Sequence, residues 1–174
     1  ARENVIVVVP QYRIGPMGNF SNSALASGEN VLDASGNYYM LDQIQALRWI
    51  QQNIEDFGGD PSKVTIGGQS AGGVIVYYLM LSPLTTGLFS NAMSMSASFG
   101  GWANVPPSNT LSNYTIDWLL LDDGTVESDG TATWPRYSAT DWTNAATYRA
   151  TMSSTAIKQY LRVKSDYKIQ LATA

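Results

Sequence analysis

The stretch Val64-Thr65-Ile66-Gly67-Gly68-Gln69-Ser70-Ala71-Gly72-Gly73 is the part of this chain whose residue types and spacing point to covalent chemistry. A β-branched run enters a Gly-x-Ser-x-Gly sequence, and small residues then open a helix. That order of strand, sharp turn and helix exposes a serine hydroxyl as a nucleophile. Gly68 and Gly72 are expected to permit the turn, because a β-carbon at either place would strike the neighbouring strand or helix. Ser70 is then the exposed residue at the tip. An activated serine needs a base, usually histidine, and the chain contains none.

The elements that must position Ser70 follow from periodicity. Asn4 to Pro10 is a continuous Val/Ile run, the pattern of a parallel strand buried on both faces. Gln11 to Gly18 has the glycine and proline density of a structured loop, and Ser21 to Gly36 reads as small, polar surface connection. Leu41, Ile44, Leu47, Ile50 and Ile54 recur at three- and four-residue spacing, the stripe of a helix packed on a sheet, and Gly58-Gly59-Asp60-Pro61 stops it. Val64 to Gly67 reads as a strand and Ser70 to Leu81 as a helix with Val74, Ile75, Tyr78 and Leu79 inward. Ser82-Pro83 closes that helix, and Ala92 to Ser96 reads as a further strand. Alternating strands and helices predict an α/β fold around a parallel sheet, with Ser70 beyond the carboxyl end of its strand.

After Phe99 the pattern weakens. Gly100 to Asn113 reads as a linker or long surface loop, Tyr114 to Leu121 as a short helix or strand, and Asp122 to Thr133 as acidic and turn-like. Trp134-Pro135 marks an extended anchor, and Ile157 to Ile169 an amphipathic helix of unsettled period.

Composition bounds the function. A 174-residue chain with 44% apolar content can build a core, so it is not a disordered polymer. A net charge of −4 without basic runs argues against nucleic acid or an anionic membrane surface as partner. No apolar stretch approaches the roughly 20 residues of a membrane span, and no signal peptide is expected, since Ala1 leads within a few residues into Val5 to Val9 as if the chain were entered midway. The absence of cysteine excludes disulfides and thiol chemistry. Charged residues make up 14%, against roughly 25% in typical domains, and Asn19-Phe20-Ser21 and Asn113-Tyr114-Thr115 are N-glycosylation sequons, so a secreted or extracellular glycoprotein is expected.

Several motifs in order resemble the type-B carboxylesterase family, which includes the cholinesterases and belongs to the α/β-hydrolase superfamily. They are Tyr12-Arg13-Ile14-Gly15, Gly36-Asn37, Leu41-Asp42-Gln43, Ala46-Leu47-Arg48-Trp49-Ile50, Asn53-Ile54, Phe57-Gly58-Gly59-Asp60-Pro61, Val64-Thr65-Ile66 and Ser70-Ala71-Gly72-Gly73. The resemblance covers residues 4 to 99, with a fainter echo in Trp134-Pro135-Arg136-Tyr137 and Leu161-Arg162. It implies an α/β-hydrolase-like, mostly parallel sheet flanked by helices, here as a partial or internally deleted member. It further implies ester hydrolysis through an acyl-enzyme, with Ser70 attacking the carbonyl and the backbone N–H of Ala71 as one oxyanion-hole donor. No cofactor or metal is implied. The expected division is a catalytic core at 1–99, a linker or replacement of a deleted span at 100–133, and a carboxyl-terminal segment at 134–174 that packs on the core.

The chain departs from this family at the chemistry itself. The family's glycine-rich oxyanion loop would precede residue 1, and none of Asp117, Asp122, Asp123, Glu127 and Asp129 has a flanking motif that makes it the triad acid. Gln69 stands where many active relatives carry glutamate, which turns the expected substrate from a cationic to a neutral ester. Gln69 and Trp102 are candidate pocket residues, whereas Trp49 is expected in the core. Arg13, Asp42 and Asp60 read as loop tethers and caps. Two explanations of the missing base stand open. Either the chain is completed by remaining segments of a longer esterase, or it is a non-catalytic cholinesterase-like domain acting with other protein chains in adhesion or structure. Lys63 as an alternative base is disfavoured by its position at the far end of the strand.

Overall fold

The computed structural model describes residues 4–25, 32, 35–98, 110–131, 137–165, 168–169 and 172. Two parallel five-residue strands, β1 (Thr65–Gln69) and β2 (Asn91–Met95), pair in register from Thr65 with Asn91 to Gln69 with Met95. The helices are α1 (Gly15–Gly18), α2 (Tyr38–Asn53), α3 (Ala71–Leu81), α4 (Thr110–Asp122), α5 (Ala139–Thr151) and α6 (Ser154–Arg162). Two compact units emerge, the first from 1–13 and 39–106 and the second from 14–38 and 107–174.

The first unit is a strand, helix, strand crossover with α2 as a second helix. Parallel pairing requires a long connection, and α3 supplies it. Ile44 and Leu47 of α2 join Ile66, Val76 and Leu79 in one apolar cluster. After Asn53 the chain tightens into a 3₁₀ turn, Ile54–Phe57, which Gly58 ends at φ +81°, donating its N–H to the carbonyls of Ile54 and Glu55. Asp60 then accepts the Ser62 N–H, so the expected stop at Gly58-Gly59-Asp60-Pro61 is present residue by residue.

Two expectations fail here. Val5 to Val9 lies outside the two-stranded sheet and is substantially exposed, with Ile6 and Val8 better covered than their neighbours. Its β-branched residues favour an extended backbone, but a strand also needs a lateral partner, and none is present among the described residues. Trp49 is 43% exposed, tilted against Phe57. It stands two residues from Leu47, about 200° round the helix, so it faces away from the buried stripe.

The seat of α3 depends on glycine, though not at both positions expected. A β-carbon at Gly68 would lie 2.4 Å from the carbonyl carbon and oxygen of Gly72, whereas one at Gly72 would meet nothing within 4 Å. The second tight position is Gly73, where a β-carbon would come within 2.8 Å of Ala97 Cβ and 2.9 Å of the Met95 carbonyl. The β1-to-α3 turn thus closes backbone on backbone, and the first turn of α3 rests directly on the end of β2.

The second unit is built around α4. Tyr114 to Leu121, read as a short helix or strand, is helical and buried on nearly every side. Ile116, Leu119 and Leu120 pack with Phe20, Leu161 and Ala172, and Leu121 with Tyr137 and Ala145. Ser112, Thr115 and Asp117 of this helix are also buried. Asp117 receives a two-pronged pair from Arg149 of α5, and Ser112 donates to the Ser21 carbonyl while accepting from Asn22. Asn22 and Ala24, in a stretch expected on the surface, are buried by that link. Helix α5 starts with a capping box, Ser138 with Asp141, and α6 begins at its cap Ser153 and ends at Arg162, short of the expected Ile169. Trp102, Trp134 and Pro135 lie outside the described residues.

Asp123 fastens the carboxyl-terminal end of α4. Burial pushes its carboxyl up, but hydrogen bonds from Lys164, Thr125 and Tyr160 more than offset this and hold it at about 2. Asp129 and Asp141 are also depressed by their hydrogen bonds, whereas burial raises Asp117 despite Arg149.

Two measurements test this packing. Gly68→Ala drives a β-carbon into fixed backbone and should cost about 2 to 3 kcal/mol in urea unfolding, while Gly72→Ala, in open space within a helix, should be neutral or slightly stabilising. A carboxyl depressed in the folded state gives stability that is complete above the unfolded value of about 3.9 and is lost as pH falls through the folded value. The urea midpoint should therefore drop between about pH 4 and pH 2, and Asp123→Asn should flatten part of that slope.

Candidate active site

Ser70 sits between β1 and α3 with φ +54° and ψ −117°, a conformation that a residue with a β-carbon rarely adopts. Two backbone hydrogen bonds hold it there. Its N–H donates to the Met95 carbonyl at 2.9 Å, and its own carbonyl accepts the Val74 N–H at 3.0 Å. Its side chain makes no capping bond to α3, although serine at this position commonly caps, and the residue is exposed.

Ala71 opens α3, so its N–H belongs to the first turn, where no intrahelical carbonyl is available to it. The positive end of the helix dipole lies at the same place. A negative charge developing beside Ser70 would meet that N–H and that field. Gln69 ends β1 and is exposed, in register with Met95. Ser96, one residue beyond β2, also has a positive φ, +51°. The sequence marks Gly73 within the Ser70-to-Gly73 motif and Met95 and Ser96 within an expected strand, but nothing local ties the three to Ser70. They become part of the site through the register of β2 against β1.

The charged groups of the first unit serve the frame. Arg13 grips Asp42 with its guanidinium at 2.6 and 2.9 Å and with its backbone N–H, and those hydrogen bonds lower the Asp42 carboxyl despite partial burial. Asp60 is held at about 2 by hydrogen bonds from Ser62 and Lys63. Both fit the expected tethering and capping roles. Lys63 is 81% exposed and paired with Asp60 at 3.0 Å, with the length of β1 between it and Ser70.

In the second unit Asp117, Asp122 and Asp123 are engaged with Arg149, Lys168 and Lys164 respectively, and Asp129 accepts from the Thr131 N–H and the Ser138 hydroxyl. Among the described residues no three His, Cys, Asp or Glu side chains gather to hold a metal ion, and no helix is long and apolar enough to cross a membrane. Of the two sequons, Asn19 is exposed, whereas Asn113 is partly buried within α4, with Thr115 wholly buried.

A model of the carboxylesterase family matches residues 1–115. Human cocaine esterase is 51% identical over 96 residues, which cover 55% of this chain and 16% of that protein. Gut esterase 1 of Caenorhabditis briggsae is 50% identical over 105 residues, covering 60% and 17%. Liver carboxylesterase 1 of Oryctolagus cuniculus is 53% identical over 96 residues, covering 55% and 16%. The chain thus spans about a sixth of the length of these relatives. Among solved structures, a PNB esterase superposes with a TM-score of 0.59 at 24% identity, covering 93% of this chain and 27% of that one, so the fold is that of a partial α/β-hydrolase. Strand, strained serine, helix and matching family model lead to one conclusion: the chain belongs to the carboxylesterase family.

Proposed function

We propose that this chain carries the nucleophile of a serine carboxylic ester hydrolase, with Ser70 forming the acyl-enzyme and the Ala71 N–H stabilising the tetrahedral oxyanion. The observation that carries the reading is the exposed Ser70, kept at φ +54° with its hydroxyl free of a capping role. Backbone strain of about 1 to 3 kcal/mol persists where the surroundings over-determine it, and such sites are often functional. The substrate is a small neutral ester, because Gln69 supplies hydrogen bonds without the charge that would draw a cation. Residues 1–99 bear the chemistry, and the span from 100 to 133 stands in for a longer family segment. The exposed Asn19 supports a secreted glycoprotein, and of the two sequons it is the better acceptor.

The base must come from segments not in this sequence, since it contains no histidine, and no carboxylate of this chain is assigned as the triad acid. Without them the chain keeps at most the residual catalysis of a triad stripped of its base, roughly 10³ to 10⁴ over water, and part of that requires a complete oxyanion hole. The missing histidine is also the specific observation that favours a second reading, a non-catalytic cholinesterase-like domain in extracellular adhesion or structure.

A fluorophosphonate probe separates the two. In protein isolated from its native source the probe should form an adduct on Ser70, abolished by Ser70→Ala, whereas the 174-residue chain alone should hydrolyse p-nitrophenyl acetate little above background. Native material that takes no adduct at Ser70 overturns the esterase reading and leaves the adhesion domain.

A further inference from the structure

We propose that Ser94 is a positioning residue for the oxyanion donor, acting through the Gly73 carbonyl; this rests on the reading of Ser70 as nucleophile. Ser94 pairs with Gly68 across the two strands, and its hydroxyl donates to the Gly73 carbonyl at 3.1 Å. It is the one residue of β2 that is not exposed, while Met93 and Met95 on the alternate face are 52% and 43% exposed. The side chain facing α3 at this point is therefore a hydroxyl rather than a methionine.

The bond falls where the helix sits closest to the strand. A β-carbon on Gly73 would lie 3.0 Å from Ser94 Oγ, 2.9 Å from the Met95 carbonyl and 2.8 Å from Ala97 Cβ, so the first turn of α3 has no clearance there. One residue along β2, the Met95 carbonyl holds the Ser70 N–H. Two consecutive residues of β2 thus grip the two sides of the turn, Met95 the serine and Ser94 the helix. Between them is Ala71, whose N–H direction follows the rotation of the first helical turn. The Gly73 carbonyl already faces the N–H four residues on in the helical ladder, and the second bond, from Ser94, fixes that rotation against the strand.

The pair Ser94→Thr and Ser94→Val isolates the hydroxyl, because the two variants share a shape suited to a strand. In the full 174-residue chain, Ser94→Val should shift the Ala71 and Gly72 amide resonances in a ¹⁵N–¹H spectrum, and Ser94→Thr should keep them near the parent positions. In the protein as isolated from its native source, fluorophosphonate labelling at Ser70 should slow about five-fold in Ser94→Val and recover in Ser94→Thr, the scale of one ordinary hydrogen bond. Ser94→Ala, which adds no bulk, should follow Ser94→Val. Unmoved amides in both Ser94→Val and Ser94→Ala, or a Ser94→Thr that behaves like them, overturn the proposal. If the parent protein from the native source takes no label at Ser70, the nucleophile reading fails, and the amide shifts of the 174-residue chain alone decide whether Ser94 orients the turn.

Discussion

The hydrogen bond from the Ser70 N–H to the Met95 carbonyl is the interaction on which the site depends. It is the last rung of the β1–β2 ladder, carried one residue past the paired Gln69 and Met95. Without it the turn has no reason to keep a serine at positive φ, where a β-carbon costs about 1 to 3 kcal/mol. With it, serine backbone, strand end and helix start form one closed unit. The 2.4 Å approach at Gly68 leaves that unit no slack, because both sides are backbone and neither can rotate away.

Very little of a large sheet is needed to make such a turn. A parallel sheet ordinarily lies buried under helices on both faces. Among the described residues two strands suffice, and Met93, Met95 and the Val5 to Val9 run remain exposed. What holds the elbow is local: β1, α3, β2 and the cluster of Ile66, Val76 and Leu79 with Ile44 and Leu47 beneath it. The shape that presents Ser70 is therefore set locally, apart from any group that would act on it. Residues that match about a sixth of the relatives' length are enough to form it.

The same separation explains what could be read in the sequence. Helices α2 and α3 and strands β1 and β2 were legible because a repeating apolar pattern and the Gly-x-Ser-x-Gly punctuation report on neighbours a few residues away. The Ser70 elbow was legible for that reason too. Val5 to Val9 was not, since its β-branched residues state a preference while its pairing depends on a partner elsewhere. The motif contains both Gly72 and Gly73, but it does not show that Gly73 is the tight one, because the clash there is with Ala97 and Met95, more than 20 residues on, and no local pattern encodes that meeting. Tyr114 to Leu121 reads as helix or strand, but the start and burial of α4 are obscured by Ser112, Thr115 and Asp117, polar residues that suggest surface until Ser21, Asn22 and Arg149 are brought to some of them.

The acidic residues show how far composition stands from chemistry. A chain with 14 carboxylates looks well supplied with acids for catalysis. Yet Asp42 is taken by Arg13, Asp60 by Ser62 and Lys63, Asp117 by Arg149, Asp122 by Lys168, and Asp123 by Lys164, Tyr160 and Thr125. Asp141, wholly buried, accepts from Asp129 and Ser138 backbone and from the Ser128 hydroxyl. A catalytic acid has to give part of its hydrogen bonding to an imidazole, and it is fixed in place for that partner. These carboxylates are fixed for other partners, and freeing one would leave an ammonium, a guanidinium or a turn without its acceptor, at a cost in stability that grows with burial. Their structural commitments are as strong a reason as the missing histidine for looking beyond these residues for whatever would activate Ser70.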